Sequence, residues 1–169
     1  MSDFNPTVLS VDREAAGAKS RLVHLSILDL NLRFMENWRS GQIASMGKAL
    51  DYESLMILMA VIVISAERLL RSELETELQT LERRLPQDRA GSANLSSIAA
   101  ATAINRETVR RKVNNLQKAG LLVRDKDGVR TAHGVIQYDA LRKIIDAQLD
   151  AISRSVNQLS KLGVLFARK

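Results

Sequence analysis

Cysteine is absent from the chain. Disulfides and thiolate metal sites are therefore excluded, and a reducing, cytoplasmic location is expected. Histidine occurs only at His24 and His133, too few for a metal cluster of the usual spacing, so neither metal nor cofactor is expected. Proline occurs twice and glycine eight times, which leaves room for long uninterrupted helices. Aromatic residues make up 4% of the chain, which argues against an all-β fold. No apolar run approaches the about 20 residues of a membrane span. The longest, "LMILMAVIVISA" at residues 55–66, ends at Glu67 and Arg68 and reads as a helix buried on nearly all sides. The start, "MSDFNPTVLSVDRE", has no basic region followed by an apolar one, so no secretory signal is expected there. No phosphate-cradling glycine loop is present, and Glu73, Glu75 and Glu77 read as a solvated helix face rather than acid–base partners. Enzymatic activity is not expected.

What the chain does have is unevenly placed positive charge. Its net charge is +6, and three segments differ: 11 Lys/Arg against 13 Asp/Glu in residues 1–90, 8 against 3 in 91–135, and 6 against 3 in 136–169. A field concentrated in one 45-residue window points to a polyanionic partner, nucleic acid first and an anionic membrane surface second.

Periodicity divides the chain further. Residues 1–20 are polar and aperiodic, as in a mobile tail. Leu22, Leu25, Leu28, Leu32, Met35 and Trp38 recur every three or four residues, as in an amphipathic helix. A second helix is expected from about Asp51 through the apolar run, with a possible break at the capping box "SELE", 72–75. Leu74, Leu78, Leu81 and Leu85 form a narrow seam that Pro86 stops, so residues 21–90 read as a helical region for dimerisation or sensing. Asp139 could cap a last helix within 136–169. There Ile145, Leu149, Ile152, Val156 and Leu159 form a dimerisation seam that Phe166 extends. Phe34, Met35, Trp38, Met46, Met56 and Met59 could line a pocket for a small-molecule effector, although such residues more often form plain core.

The basic window is the most informative segment. "LSSIAAATAI" at 95–104 predicts a short alanine-rich helix whose small side chains allow close approach of another. Asn105 can cap a second helix that runs from Arg106 to about Lys118 and ends at Gly120. At about 100° per residue, Val109, Val113 and Leu116 share one narrow arc. Opposite lie Glu107, Arg111, Asn114 and Lys118, bordered by Arg106, Arg110 and Gln117 on one side and Thr108 and Asn115 on the other. Lys112 falls beside the apolar arc, so its stem should lie on protein and its amine reach solvent or a phosphate. "LLVRDKDGVRTA" at 121–132 then reads as a hairpin with Arg124, Lys126 and Arg130 near its tip. Helix, turn, helix and hairpin in this order predict a winged helix-turn-helix. The expected class is mainly α with a small β-hairpin wing, the domain at 91–135 flanked by N- and C-terminal dimerisation helices.

"NRETVRRKV" resembles the recognition helix of the Crp/Fnr family of bacterial regulators, with its R-E-T-V-x-R core. The resemblance implies that Arg106, Glu107 and Arg111 contact bases and that Asn105 and Thr108 hold phosphate or cap the helix. "LQKAGLLVRDKDGVR" is similar to the end of that helix and its wing, and the likeness extends over about residues 95–143. Ala103 stands where the turn usually has glycine, and Thr102 and Lys112 replace positions that are often apolar. Upstream, residues 20–85 read as helices rather than a β-roll, so the layout is more similar to MarR-type dimeric regulators, and only the DNA-reading residues carry over. The expectation is a bacterial homodimer that binds double-stranded DNA without a membrane. Its backbone contacts would come from Asn105, Thr108, Arg110, Asn114, Lys118, Arg124, Lys126 and Arg130. The rival reading is a winged-helix module for protein or RNA.

Overall fold

The computed structural model describes residues 8–40, 50–70, 91–137 and 139–168. The leucine seam of 74–85, the capping box at Ser72, the Pro86 linker and Met46 lie outside these residues. In chain order the elements are β1 (Val8–Val11), α1 (Arg13–Ala18), α2 (Ser20–Ser40), α3 (Tyr52–Leu70), α4 (Leu95–Thr102), α5 (Arg106–Lys118), β2 (Leu122–Asp125), β3 (Gly128–Thr131), α6 (Asp139–Lys161) and β4 (Leu165–Arg168). The protein is mainly helical, with two small two-stranded antiparallel sheets, β1–β4 and β2–β3. Among the described residues no helix is long and apolar enough to cross a membrane. The chain forms two compact units, Gln42–Arg142 and Met1–Gly41 with Lys143–Lys169.

The unit Gln42–Arg142 holds a continuous core of Ile57, Leu58, Val61, Ala93, Ile98, Val109, Val113, Leu116, Leu121, Leu122, Val129 and Val135. Asp51 starts α3 by accepting a hydrogen bond from the Ser54 amide at 2.9 Å. The apolar run is then buried on most of its circumference, with Val63 left exposed. Helix α3 thus belongs with the segment 91–135 rather than with a separate region ending at residue 90. The reason is burial: α4 and α5 each have only one apolar arc and need a third helix to close a core over it.

In the other unit, β1 pairs with β4 in the register Val8↔Arg168 to Val11↔Leu165. Of the expected tail over 1–20, the described residues instead form β1 and α1. Asp12 caps α1 by accepting from the Ala15 amide at 2.9 Å, a local stop that aperiodic polarity concealed. The last helix also ends before Phe166: the chain turns at residues 162–164 and Phe166 sits in β4. Helices α2 and α6 lie side by side and antiparallel. The Lys19 amine donates to the Leu162 carbonyl at 2.6 Å, and the Gln148 amide donates to the Phe34 carbonyl at 3.0 Å.

Candidate nucleic-acid interface

Helices α4 and α5 are joined by residues 103–105. Asn94 caps α4, accepting from the Ser97 amide at 2.8 Å. Ala103 ends it in the left-handed region at φ 55°, ψ 20°, which is the sharp turn the sequence left to an alanine. The Thr102 hydroxyl donates back to the Ile98 carbonyl at 2.8 Å. Asn105 is the cap of α5: its side-chain oxygen accepts from the Glu107 amide at 2.8 Å. Of the two roles open to Asn105, the cap is the one its geometry displays.

The apolar arc of α5 is sealed, since Val109, Val113 and Leu116 are all buried. Arg106, Glu107, Arg110, Arg111 and Lys118 are exposed, and Thr108 and Asn114 are half-buried. The outward row of long donors expected from the helical wheel is therefore present on the surface. One of these donors, Arg110, has its partner within the helix. Arg110 grips Glu107 with Nε at 3.1 and 2.9 Å from the two carboxylate oxygens and Nη2 at 2.5 Å. These hydrogen bonds hold the Glu107 carboxyl below the usual range and raise the Arg110 guanidinium.

Lys112 departs from expectation. Its amine meets Asp51 at 2.5 Å and Glu53 at 3.4 Å, and the side chain is only 13% exposed. It fastens α5 to the start of α3 rather than reaching outward. The Asp51 hydrogen bond raises the Lys112 amine above its ordinary value. Burial pushes the Asp51 carboxyl up, but the bonds from Lys112 and Ser54 together outweigh it and leave that carboxyl below its ordinary value.

The hairpin forms where the sequence places it, with Leu122 opposite Thr131 and Asp125 opposite Gly128. Asp125 organises its turn, accepting from the Asp127 amide at 2.9 Å and the Gly128 amide at 3.2 Å. A second carboxylate oxygen of Asp125 holds Arg130 at 3.2 Å, so Arg130 is tied to the hairpin while Arg124 and Lys126 are exposed. Ala93 pairs with Val129 through two backbone bonds of 2.7 and 2.9 Å, and the Ser92 hydroxyl donates to the Asp127 carbonyl at 2.7 Å. These contacts lash the hairpin to the start of α4. Between them opens a shallow cleft of about 340 Å³ lined in part by Asn94, Ser96, Arg106 and Arg124. The start of a helix leaves backbone N–H groups without intrahelical partners. Beside two guanidinium groups, that arrangement can hold an anionic oxygen.

Of the expected dimerisation residues, Ile145, Leu149 and Ile152 are exposed, Val156 is half-buried, and Leu159 is buried within its own chain. The residues considered for an effector divide. Phe34, Met35 and Trp38 belong to one unit, with the Phe34 and Trp38 rings 6.0 Å apart, whereas Met56 and Met59 belong to the other. The roles of Asp51, Glu53 and Asp125 as internal partners were missed by the sequence reading. Their only local signal was a carboxylate before a helix or within a turn. No family model matches the chain, nor does any curated protein or solved structure.

Proposed function

We propose that the protein is a sequence-specific double-stranded DNA-binding transcription regulator. It acts as a homodimer, with residues 91–135 as a winged helix-turn-helix. The observation that carries this reading is α5 itself: its apolar arc is wholly buried while Arg106 and Arg111 stand exposed on the outer surface. Thirteen residues make a rod roughly 20 Å long and 10–12 Å across, matched to a major groove about 12 Å wide. In that groove Arg106 and Arg111 present the forked donors that recognise guanine O6 and N7. Glu107 accepts from cytosine on releasing Arg110, and otherwise orients that arginine. Lys118, Arg124 and Lys126 supply phosphate contacts, with polar support from Thr108 and Asn114. Arg110 and Arg130 contribute less affinity, because each already has a carboxylate partner. Two copies would set two recognition helices into successive grooves about 34 Å apart.

Selection of bound fragments from random or genomic DNA tests the reading. Enrichment of a near-palindromic motif is the expected result. Equal affinity for RNA and DNA, or for no nucleic acid, would instead make the fold an interaction module.

A further inference from the structure

The unit Met1–Gly41 with Lys143–Lys169 leaves much of the apolar surface of its two long helices exposed. On α2 the buried positions include Ser26 and Trp38, whereas Leu22, Leu25, Leu28, Leu32 and Met35 are each 49–62% exposed. At about 100° per residue these five span an arc of about 140°, and Ser26 lies beyond its edge, about 110° from the centre. On α6 the buried row runs Ile144, Gln148, Ala151, Ser155 and Leu159, so its middle is small or polar. Ile145, Leu149 and Ile152, 47–65% exposed, lie roughly a quarter turn away from that row. Gln148 Oε1 and Ser155 Oγ are buried without a hydrogen-bond partner among the described residues. The more apolar stripes of both helices thus face outward, opposite to what a free-standing pair would select.

The same unit carries a second incomplete feature. Among the described residues sheet β1–β4 has two strands, and Val8, Leu9, Val11 and Phe166 on it are each 46–61% exposed. A two-stranded ribbon is marginal in water without something packed on it.

We infer that a second copy of this chain covers the outward stripes of α2 and α6, giving an intersubunit helical bundle centred on Leu25, Leu28, Leu32, Leu149 and Ile152. The size of the surface selects this occupant. At about 30 Å² per methylene-sized group, the eight half-exposed side chains of α2 and α6 present on the order of 500 Å² of apolar surface. A standard interface takes about 800 Å² from each partner, of which about 65% is apolar in homodimers, again close to 500 Å². A patch of this size is at the upper end of what monomers expose and is often functional. Charge does not oppose self-association: the exposed charged side chains of α2 between residues 21 and 36 are Arg21, Asp29, Arg33 and Glu36, two of each sign, with Arg33 bonded to Asp29 at 2.7 Å. An acidic or basic partner would find no complementary field there. This assignment deepens the homodimer part of the proposed function, moves the centre of the interface onto α2, and drops Leu159 from it. It stands whether or not α5 binds DNA.

The test is made on the full chain without DNA, by sedimentation at 1–50 µM (roughly the range where dimers of this size are populated). The wild type is expected to sediment as a dimer. Leu28→Glu and Leu149→Glu should each weaken it by about 30-fold or more, the effect of removing one interface hot spot. Val63→Glu introduces the same charge at an equally exposed apolar position of α3 and should leave the dimer intact. Circular dichroism confirms that the helices survive. Met35 supplies a readout independent of the variants: its oxidation by peroxide, followed by peptide mass, should slow as wild-type concentration rises. A monomeric wild type, dissociation by Val63→Glu as readily as by Leu28→Glu, or concentration-independent Met35 oxidation each overturns the inference. Loss of DNA binding with the dimer intact would count against the proposed function alone.

Discussion

Ala103→Gly should stabilise the protein, and Gly120→Ala should destabilise it. Both residues are exposed, so neither substitution changes burial. Both sit at positive φ, 55° and 74°, and a Cβ on Gly120 would meet nothing within 4 Å. The two changes therefore differ only in which way the backbone preference moves. A left-handed conformation costs an L-residue about 1–2 kcal/mol. Removing the Cβ at 103 recovers that cost, and the extra freedom of glycine in the unfolded chain takes back about 0.4–1 kcal/mol. The net gain is about 0.5–1 kcal/mol, a rise in Tm of about 3–6 °C for a unit of this size. The substitution at 120 should lower Tm by a similar amount. Thermal unfolding of the full chain, followed by calorimetry, measures both. A lower Tm for Ala103→Gly would refute the left-handed assignment at the α4–α5 turn, and with it the angle at which α5 is presented.

Gly128→Ala should cost more, about 2–5 kcal/mol. The added Cβ would fall 2.8 Å from the Ala93 carbonyl oxygen at a φ of 139°, straining the backbone and breaking the Ala93–Val129 pairing. Denaturant titration should show a clear loss of stability, and faster amide exchange at Ala93 and Val129 would locate it. Lys112→Met tests the α3–α5 tie. The folded Asp51 titrates below its ordinary 3.8, so its share is present above that pH and is lost as pH falls through the lower folded value. The folded Lys112 titrates above its ordinary 10.5, so its share is present below that pH and is lost as pH rises through the higher folded value. The stability difference between wild type and variant should then be flat across neutral pH and shrink at both extremes. Its size should stay near 1 kcal/mol because Asp51 and Glu53 are half exposed to water. A difference that varies through pH 6–8 would contradict the pairing. Arg111→Ala should cost about 1–3 kcal/mol on a preferred DNA site and relax base preference there. Lys126→Ala should weaken binding to all sequences equally and reduce the salt dependence by about one unit of log–log slope. Equal loss on every sequence for Arg111→Ala would remove its reading role.

Much of α5 is legible in the sequence. Its cap at Asn105, its buried arc and its exposed arginines all follow from a strong 3.6-residue period over thirteen positions. The hairpin was legible for a similar reason, since the "DKDG" turn is local chemistry. The pairing of β1 with β4 was not, because its partners, from Val8↔Arg168 to Val11↔Leu165, are more than 150 positions apart in sequence and each strand has only four residues. Nor was the Lys112 clamp, which depends on α3 bringing Asp51 and Glu53 to a helix sixty residues away.

By itself the sequence determined where charge accumulates, which stretches wind into helices, and that one of them carries cations opposite an apolar arc. These are local properties, set by neighbours three or four residues apart. Tertiary structure alone decided that Lys112 keeps the carboxylates of Asp51 and Glu53 as partners. It also decided that the leucines of α2 face away from α6. A helical period says that a stripe exists but not what lies against it, because burial is a property of contacts that close only when distant segments meet.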